Sequence, residues 1–323
     1  MKRRGCLLAA ALGVLLLGAV AWLAAGWWGS ADVEEDTSFV VPSGATLTSV
    51  VGKLEKEGLI GSADSFLLRA KVFGSGDPVK AGEFLLPAGA SAAAILDMLQ
   101  HGEVVRRFVT IPEGLPSVLV HERLMREPLL TSTVPVPGEG SVLPESYDFE
   151  RGESRAAVLE RMQQAMRDTI AELWPKRAKD IAVSTPQEAI ILAAIVEKET
   201  GVPQERRMVA GLYTNRLKQG MMLQADPTII YPITRGRPLG RRIRQSEITA
   251  VNGYNTYSMV GLPEGPITNP GRASIAAVLD PADTDALYMV ANGTGGHAFA
   301  TTLEQHNSNV ARWFAIRRER GEM

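Results

Sequence analysis

The chain of 323 residues holds one cysteine, Cys6, and four histidines. A lone thiol closes no internal disulfide, and scattered histidines without a thiol partner offer no Cys/His zinc framework, so a disulfide scaffold and a zinc finger are both excluded. An excess of charge of either sign is also missing. The 34 Lys+Arg stand against 36 Asp+Glu, and a formal net charge of −2 gives no general attraction to a nucleic-acid backbone. The glycine-rich run Asn292-Gly293-Thr294-Gly295-Gly296-His297 has no Lys-Ser/Thr after it, as a phosphate-binding P-loop needs, and nucleotide binding is set aside. What the chain does have is apolar residues, 45% of the total, enough for a sizeable core, and a length that allows about two domains.

Lys2, Arg3 and Arg4 precede a charge-free stretch from Gly5 to Ala31, rich in Leu, Ala, Val and Trp. At about 1.5 Å per helical residue it spans a hydrocarbon layer of roughly 30 Å. Basic residues before it favour an inside N-terminus, and Trp27 and Trp28 stand where an aromatic anchor meets the far interface. The competing reading, a cleaved signal peptide, calls for an apolar region of only about 7 to 15 residues. Retention as a signal anchor is therefore expected, with everything after Ser30 outside.

Beyond an acidic linker at Asp32 to Asp36, Phe39-Val40-Val41-Pro42-Ser43-Gly44-Ala45-Thr46-Leu47 reads as strand, turn and helix start. Phe84-Leu85-Leu86-Pro87-Ala88-Gly89-Ala90-Ser91-Ala92 repeats it, and Phe108-Val109-Thr110-Ile111-Pro112-Glu113-Gly114 is a weaker third copy. The helices behind the first two carry apolar residues at i, i+3, i+4 and i+7, and Gly58 and Gly102 are placed to stop them. With so few, unevenly spaced copies, a small α+β module is expected rather than a solenoid. Phe39, Phe66, Phe73 and Phe84 look like its core. A packing role and a glycan-binding role both remain open for it.

Residues 128–145 hold too many Pro and Gly for a helix or a central strand and read as a loop, and Ala156 to Trp174 reads as an amphipathic helix. Thr185, Pro186 and Glu188 then signal a helix start with proline in its first turn. Ala189 to Val196 are apolar on every side, which marks a central buried helix, and it ends in Glu197-Lys198-Glu199-Thr200-Gly201 with Gly201 as the expected stop. A carboxylate is disfavoured both at a helix C-terminus and in apolar surroundings, and both effects prepare a general acid. Two residues apart, Glu197 and Glu199 sit about 200° around the helix and face different sides. Glu197 lies on the stripe of Ile190, Ala193 and Ala194 and is the expected acid. The alternative is a pair of solvated carboxylates flanking Lys198.

Polar clusters follow: Gln224 and Asp226 within Leu223 to Thr228, then Asn252 to Tyr257, then Gly261 to Gly271. Aromatic faces and amides suit a hydroxylated ligand, although plain turn chemistry would use the same residues. His297 and His306 read as structural, hydrogen-bonded histidines or as proton carriers.

The ordered series Ile195-Val196-Glu197-Lys198-Glu199-Thr200, Asn215-Arg216-Leu217, Leu223-Gln224-Ala225-Asp226-Pro227-Thr228, Tyr254-Asn255-Thr256-Tyr257, Gly261-Leu262-Pro263, Asn269-Pro270-Gly271, Gly296-His297-Ala298-Phe299 and His306-Asn307 closely resembles the endolytic murein transglycosylase (YceG-like) family across nearly the whole chain. The resemblance implies an α+β fold in four parts. These are an N-terminus with a transmembrane anchor over 1–30, a linker over 31–37, a small LysM-like α/β module over 38–107, and a larger mixed α+β catalytic domain over 108–323. It implies cleavage of the MurNAc-GlcNAc β-1,4 bond of nascent glycan strands without added water, giving 1,6-anhydro ends, with no metal or organic cofactor. The implied setting is the bacterial inner membrane, with peptidoglycan strands as substrate and membrane-bound peptidoglycan synthases as partners. By the same resemblance Glu197 matches the catalytic glutamate, and Glu199, Gln224, Asp226, Tyr254, Asn255 and Asn269 line the cleft. Two other classes stay open: a muramidase-type hydrolase pairing Glu197 with a second carboxyl such as Asp226 or Glu199, and a non-catalytic scaffold that binds glycan and recruits wall synthases.

Overall fold

The structure, a computed structural model, describes residues 2–29 and 32–322, with side chains in the first helix from Ala11 onward. The side chains of Lys2, Arg3 and Arg4, on which the orientation of the anchor rests, and the junction at Ser30 and Ala31 lie outside what is described. The chain is mixed α+β and divides into two compact units, residues 1–107 with 149–152 and residues 108–148 with 153–323.

The first unit opens with α1 (Lys2–Trp28), whose window Ala11–Trp28 has a mean hydropathy of 1.8, long and apolar enough to cross a membrane. Then come β1 (Thr37–Val41), α2 (Leu47–Lys56), α3 (Ala63–Phe73), β2 (Gly82–Leu86) and α4 (Ala92–His101). The two copies of the repeat meet each other: β1 and β2 pair antiparallel with Phe39 opposite Phe84, and both rings are fully buried. Each copy has the same joint, in which Ala45 N–H donates to the Pro42 carbonyl and Ala90 N–H to that of Pro87. Gly44 and Gly89 take φ of 75° and 71°, the left-handed value that a type II turn demands at its third residue. Thr46 and Ser91 then cap their helices by accepting from the Ser49 and Ala94 amides.

One expectation changes here. Trp27 and Trp28 do not act as one interfacial pair, because Trp27 is 3% exposed and sits edge-on to Phe66 in the core of this unit, while Trp28 is 60% exposed against Phe73. A helix end that carries the core's own aromatic residue cannot also leave that residue at a lipid interface. Gly102 stops α4 with an ordinary extended backbone, whereas Gly58, at φ 73°, uses its freedom.

The second strand pair is β3 (Arg106–Thr110) with β4 (Ser146–Glu150), and α5 (Ser117–Arg126) lies between them in sequence. In the second unit, 128–145 carries neither helix nor strand, as its prolines dictate. It is held by Arg155, whose guanidinium, 8% exposed as a residue, donates to the carbonyls of Leu124, Met125, Glu127 and Ser132 and so satisfies the C-terminal end of α5. The helices are α6 (Arg155–Leu173), α7 (Pro186–Glu199), α8 (Arg206–Lys218), α9 (Asp226–Thr234), α10 (Gln245–Ile248) and α11 (Arg272–Leu279). The hairpin β5 (Tyr288–Ala291) and β6 (His297–Ala300) and the terminal α12 (Leu303–Glu319) complete it. Residues Ala189 to Val196 of α7 are all buried, packed by α8 and α11. Its start is as expected, with Thr185 accepting from Glu188 N–H, but its stop is Thr200, already extended at φ −134°, and Gly201 has no special role.

An added Cβ at Gly44 or at Gly52 in α2 would meet no atom within 4 Å, so substitutions there isolate backbone preference. Gly44→Ala is expected to cost roughly 1 kcal/mol for its left-handed φ, and Gly52→Ala to gain about 0.5 to 1 kcal/mol of helix propensity. Urea unfolding of the full chain in detergent should show midpoints moving in opposite directions.

Candidate active site

The C-terminal turn of α7 delivers its two carboxylates to opposite sides. Glu197, whose side chain is 6% exposed, accepts from Gly271 N–H at 2.9 Å and stands 3.6 Å from Arg206, which also pairs with Glu113 at 2.8 Å. Glu113 belongs to the third copy of the Pro-x-Gly turn, where Leu115 N–H donates to Pro112 and Gly114 has φ 70°. Glu197 thus ties three segments together: the turn at 112–115, the start of α8 and the loop before α11. It is not among the residues that line the cavity beside Glu199.

Glu199 does. It lines a cavity of about 410 Å³ with Tyr213, Arg216, Gln224, Asp226, Tyr257, His297 and His306. The residue as a whole is partly exposed, but its carboxyl Oε1 is out of solvent and has no hydrogen-bond partner among the described residues. Burial pushes the Glu199 carboxyl up to about 8, the charge of Asp226 adds to this, and a hydrogen bond from Tyr213 and the Arg216 guanidinium oppose it. Glu199 faces this cavity without a cationic or backbone partner in bonding contact, whereas Glu197 has both the Gly271 amide and Arg206 beside it.

The walls of the cavity are built from distant segments. Thr228 and Thr256, both fully buried, exchange hydrogen bonds, and the Ala225 amide donates to Thr256 Oγ1 at 3.0 Å. This staple brings the Tyr257 hydroxyl to 2.7 Å from Asp226 Oδ1 at the first turn of α9. Gln224 enters the turn at φ 54°, a strained conformation for a residue with a side chain and one that collects at functional sites. Arg216, 7% exposed, donates to the carbonyls of Leu223 and Met222 on one side and of Leu287 on the other, while its Nη1 also reaches Gln224 Oε1 at 3.4 Å. One guanidinium therefore holds both the 222–224 turn and the entry to β5.

His297 and His306 also face this cavity. The Glu205 carboxylate accepts from His297 N–H and stands 2.8 Å from its Nδ1, which fixes the ring. Burial opposes the Glu205 anion, yet these bonds and one from Thr200 hold its carboxyl below the usual range. The His306 ring stacks on Tyr288 at 5.3 Å, and its buried Nδ1 has no partner among the described residues; burial and Arg216 lower its pKa, keeping it neutral.

Of the residues expected from sequence, Glu199, Gln224 and Asp226 come together. Asn255 and Asn269 are fully buried and serve the backbone. The Asn255 amide donates to the carbonyls of Ile248 and Ala250 and accepts from Tyr257 N–H. Asn269 accepts from Val142 N–H and donates to the Leu115 carbonyl and Ser117 Oγ. Tyr254 packs on Tyr231 at 4.8 Å and does not line the cavity. Tyr213, Arg216, Tyr257, His297 and His306 were not assigned to the site from sequence, although the last four fall within the ordered motifs.

The YceG-like family profile matches residues 39–312, most of the chain. The chain belongs to the YceG-like family. It is 25% identical over 321 residues to the endolytic murein transglycosylase of Bacillus subtilis, covering 90% of this chain and 88% of that protein. It is 27% identical to the endolytic murein transglycosylase of Streptococcus pneumoniae serotype 2, covering 84% of this chain and 57% of that longer protein. The crystal structure of a YceG-like protein from Listeria monocytogenes superposes with a TM-score of 0.53 at 27% identity, over 85% of this chain and 99% of that one.

Within this YceG-like chain the raised carboxyl of Glu199 has a consequence for stability. A carboxyl raised in the folded state binds a proton that the unfolded chain has already lost, so the contribution of Glu199 to stability is fullest below pH 4.5 and falls as pH rises toward about 8. The expected decline is roughly 1 kcal/mol per pH unit across that window. Glu199→Gln should flatten it in urea midpoints taken from pH 5 to 8. Asn269→Ala strips partners from two backbone groups, Val142 N–H and the Leu115 carbonyl, and from Ser117 Oγ, and should cost about 3 kcal/mol, read as a lowered Tm.

Proposed function

We propose that this chain is an endolytic peptidoglycan lytic transglycosylase in which Glu199, rather than Glu197, is the acid. The observation that carries the reading is the Glu199 carboxyl, buried, without a partner on Oε1, and pushed up to about 8 at the wall of a half-open polar cavity. The names of the Bacillus and Streptococcus relatives supply the substrate class.

The chemistry needs a carboxylic acid that is still protonated near neutral pH, and a group raised to about 8 meets that need. Glu199 gives its proton to the glycosidic oxygen between MurNAc and GlcNAc as that bond breaks. The 6-hydroxyl of the same MurNAc attacks the anomeric carbon, and its proton passes to the Glu199 carboxylate. The product carries a 1,6-anhydro end, the acid is restored, and no water is consumed. Arg216 and the Asp226–Tyr257 pair shape the wall around this group, and the neutral His306 Nδ1 offers a polar contact to the sugar. Glu197 is a positioning residue: through Gly271 and Arg206 it fixes the turn of α7 from which Glu199 projects.

The same reading places α1 in the bacterial cytoplasmic membrane with the N-terminus inside, supported by the hydropathy of Ala11–Trp28. It takes residues 38–107 as a LysM-like module, supported by two antiparallel strands that enclose two helices in one core. An enzyme so held acts on nascent strands beside the membrane-bound synthases that make them, and terminates their growth.

Incubating the full chain in detergent with uncrosslinked glycan strands and weighing the products by mass spectrometry tests this. Internal cuts with 1,6-anhydro ends are expected, and reducing ends would identify instead a hydrolase that uses Asp226 as its second carboxyl. Glu199→Gln should lower kcat by about 10² to 10⁴ with the fold intact. Glu197→Gln should lower Tm and retain more turnover; the reverse ranking of the two variants would return the acid role to Glu197. The rate should fall as pH rises through about 8, where Glu199 loses its proton.

A further inference from the structure

The burial of Trp27 moves the membrane boundary along α1. A residue inside the core of the first unit is not in lipid, so the lipid interface lies earlier in the helix. Trp22, 61% exposed, is the next tryptophan back, six residues or about 9 Å before Trp28 along the helix axis. The charge-free run left below it, Gly5 to Ala21, spans about 26 Å, close to the thickness of a bilayer's hydrocarbon layer.

Helix α3 reaches down to that level. The Arg69 guanidinium lies over the Trp22 ring, 4.9 Å from its centroid, and rests against Gly26, where an added Cβ would fall 2.2 Å from Arg69 Cζ. Its Nε is buried and has no hydrogen-bond partner among the described residues. Arg69 also lines a cavity of about 270 Å³ with Gly26, Asp32, Ser62 and Ser65. Beside it on the same flank of α3, at about 100° per residue, are Leu68 and Val72, 52% and 56% exposed, with Lys71 exposed next to them. A cation at the level of an exposed tryptophan, with two large exposed apolar side chains next to it on the same helix, matches a headgroup layer over an acyl boundary.

We propose that α3 is a membrane-contact surface: Leu68 and Val72 enter the outer face of the bilayer that α1 crosses, and Arg69 meets lipid phosphate at the level of Trp22. This rests on α1 being a membrane anchor. With Trp27 and Phe66 locking α1 into the core, the first unit then sits on the bilayer as a rigid continuation of its anchor.

The test uses the full chain with Cys6→Ser and Leu68→Cys, labelled with an environment-sensitive fluorophore and reconstituted into phosphatidylethanolamine and phosphatidylglycerol vesicles. Quenching by nitroxide carried on lipid headgroups, with loss of quenching by aqueous iodide, is expected. Adding Arg69→Glu or Gly26→Val should reverse that preference while the chain stays with the vesicles through an alkaline carbonate wash. A carbonate-resistant chain whose label is quenched by iodide and not by lipid would overturn the contact surface and leave the anchor standing. Release in the wash would overturn both.

Discussion

Helix α7 is apolar on every side for eight residues, and water is excluded from it by α8 and α11. A helix so enclosed cannot rotate to choose which of its terminal carboxylates meets the ligand, because any turn would drag a packed side chain out of its place. The two glutamates after Val196 therefore have fixed and opposite environments. One meets a guanidinium and a backbone amide; the other meets the floor of a cavity. Their separate surroundings are a consequence of helical pitch, and the cavity lies on the side on which Glu199 emerges.

Much of the architecture is legible in the sequence because it depends on local chemistry. The Pro-x-Gly joints, the Ser/Thr caps and the proline-rich loop each act within a few residues of themselves, and the structure shows them where the pattern puts them. The buried run of α7 is equally plain, since no polar residue interrupts it. What the sequence does not carry is which side of a helix end faces the ligand. Glu197 continues the apolar stripe, and for that reason it is drawn into the packing and tied down, leaving Glu199 to face the cavity. A stripe marks the side that neighbours cover, so its last polar member is the one most apt to be used structurally.

The asparagines and Trp27 repeat the lesson in other forms. Asn255 and Asn269 stand in motifs as polar as a sugar-binding site, yet the amide of Asn255 is consumed by the backbone of its own loop and that of Asn269 by groups more than a hundred residues away, a demand that no local pattern reveals. Trp27 reads as an interfacial anchor because it ends an apolar run, and its partner Phe66 lies on a separate helix. Arg216 and the two histidines come from segments that meet only when α8, the 222–224 turn, the β5–β6 hairpin and α12 are assembled.

The three Pro-x-Gly joints share one backbone shape but serve two ends. In the first unit the residue between proline and glycine is Ser43 or Ala88, both exposed. In the second unit that same place is Glu113, and its carboxylate is spent on Arg206 beside Glu197. The joint leaves its middle side chain outside its own hydrogen-bonding scheme, so that one position can be exchanged without disturbing the turn. In the third copy whatever residue fills that place arrives at a defined position beside the end of α7, and the packing around Glu197 can be retuned there without altering the turn.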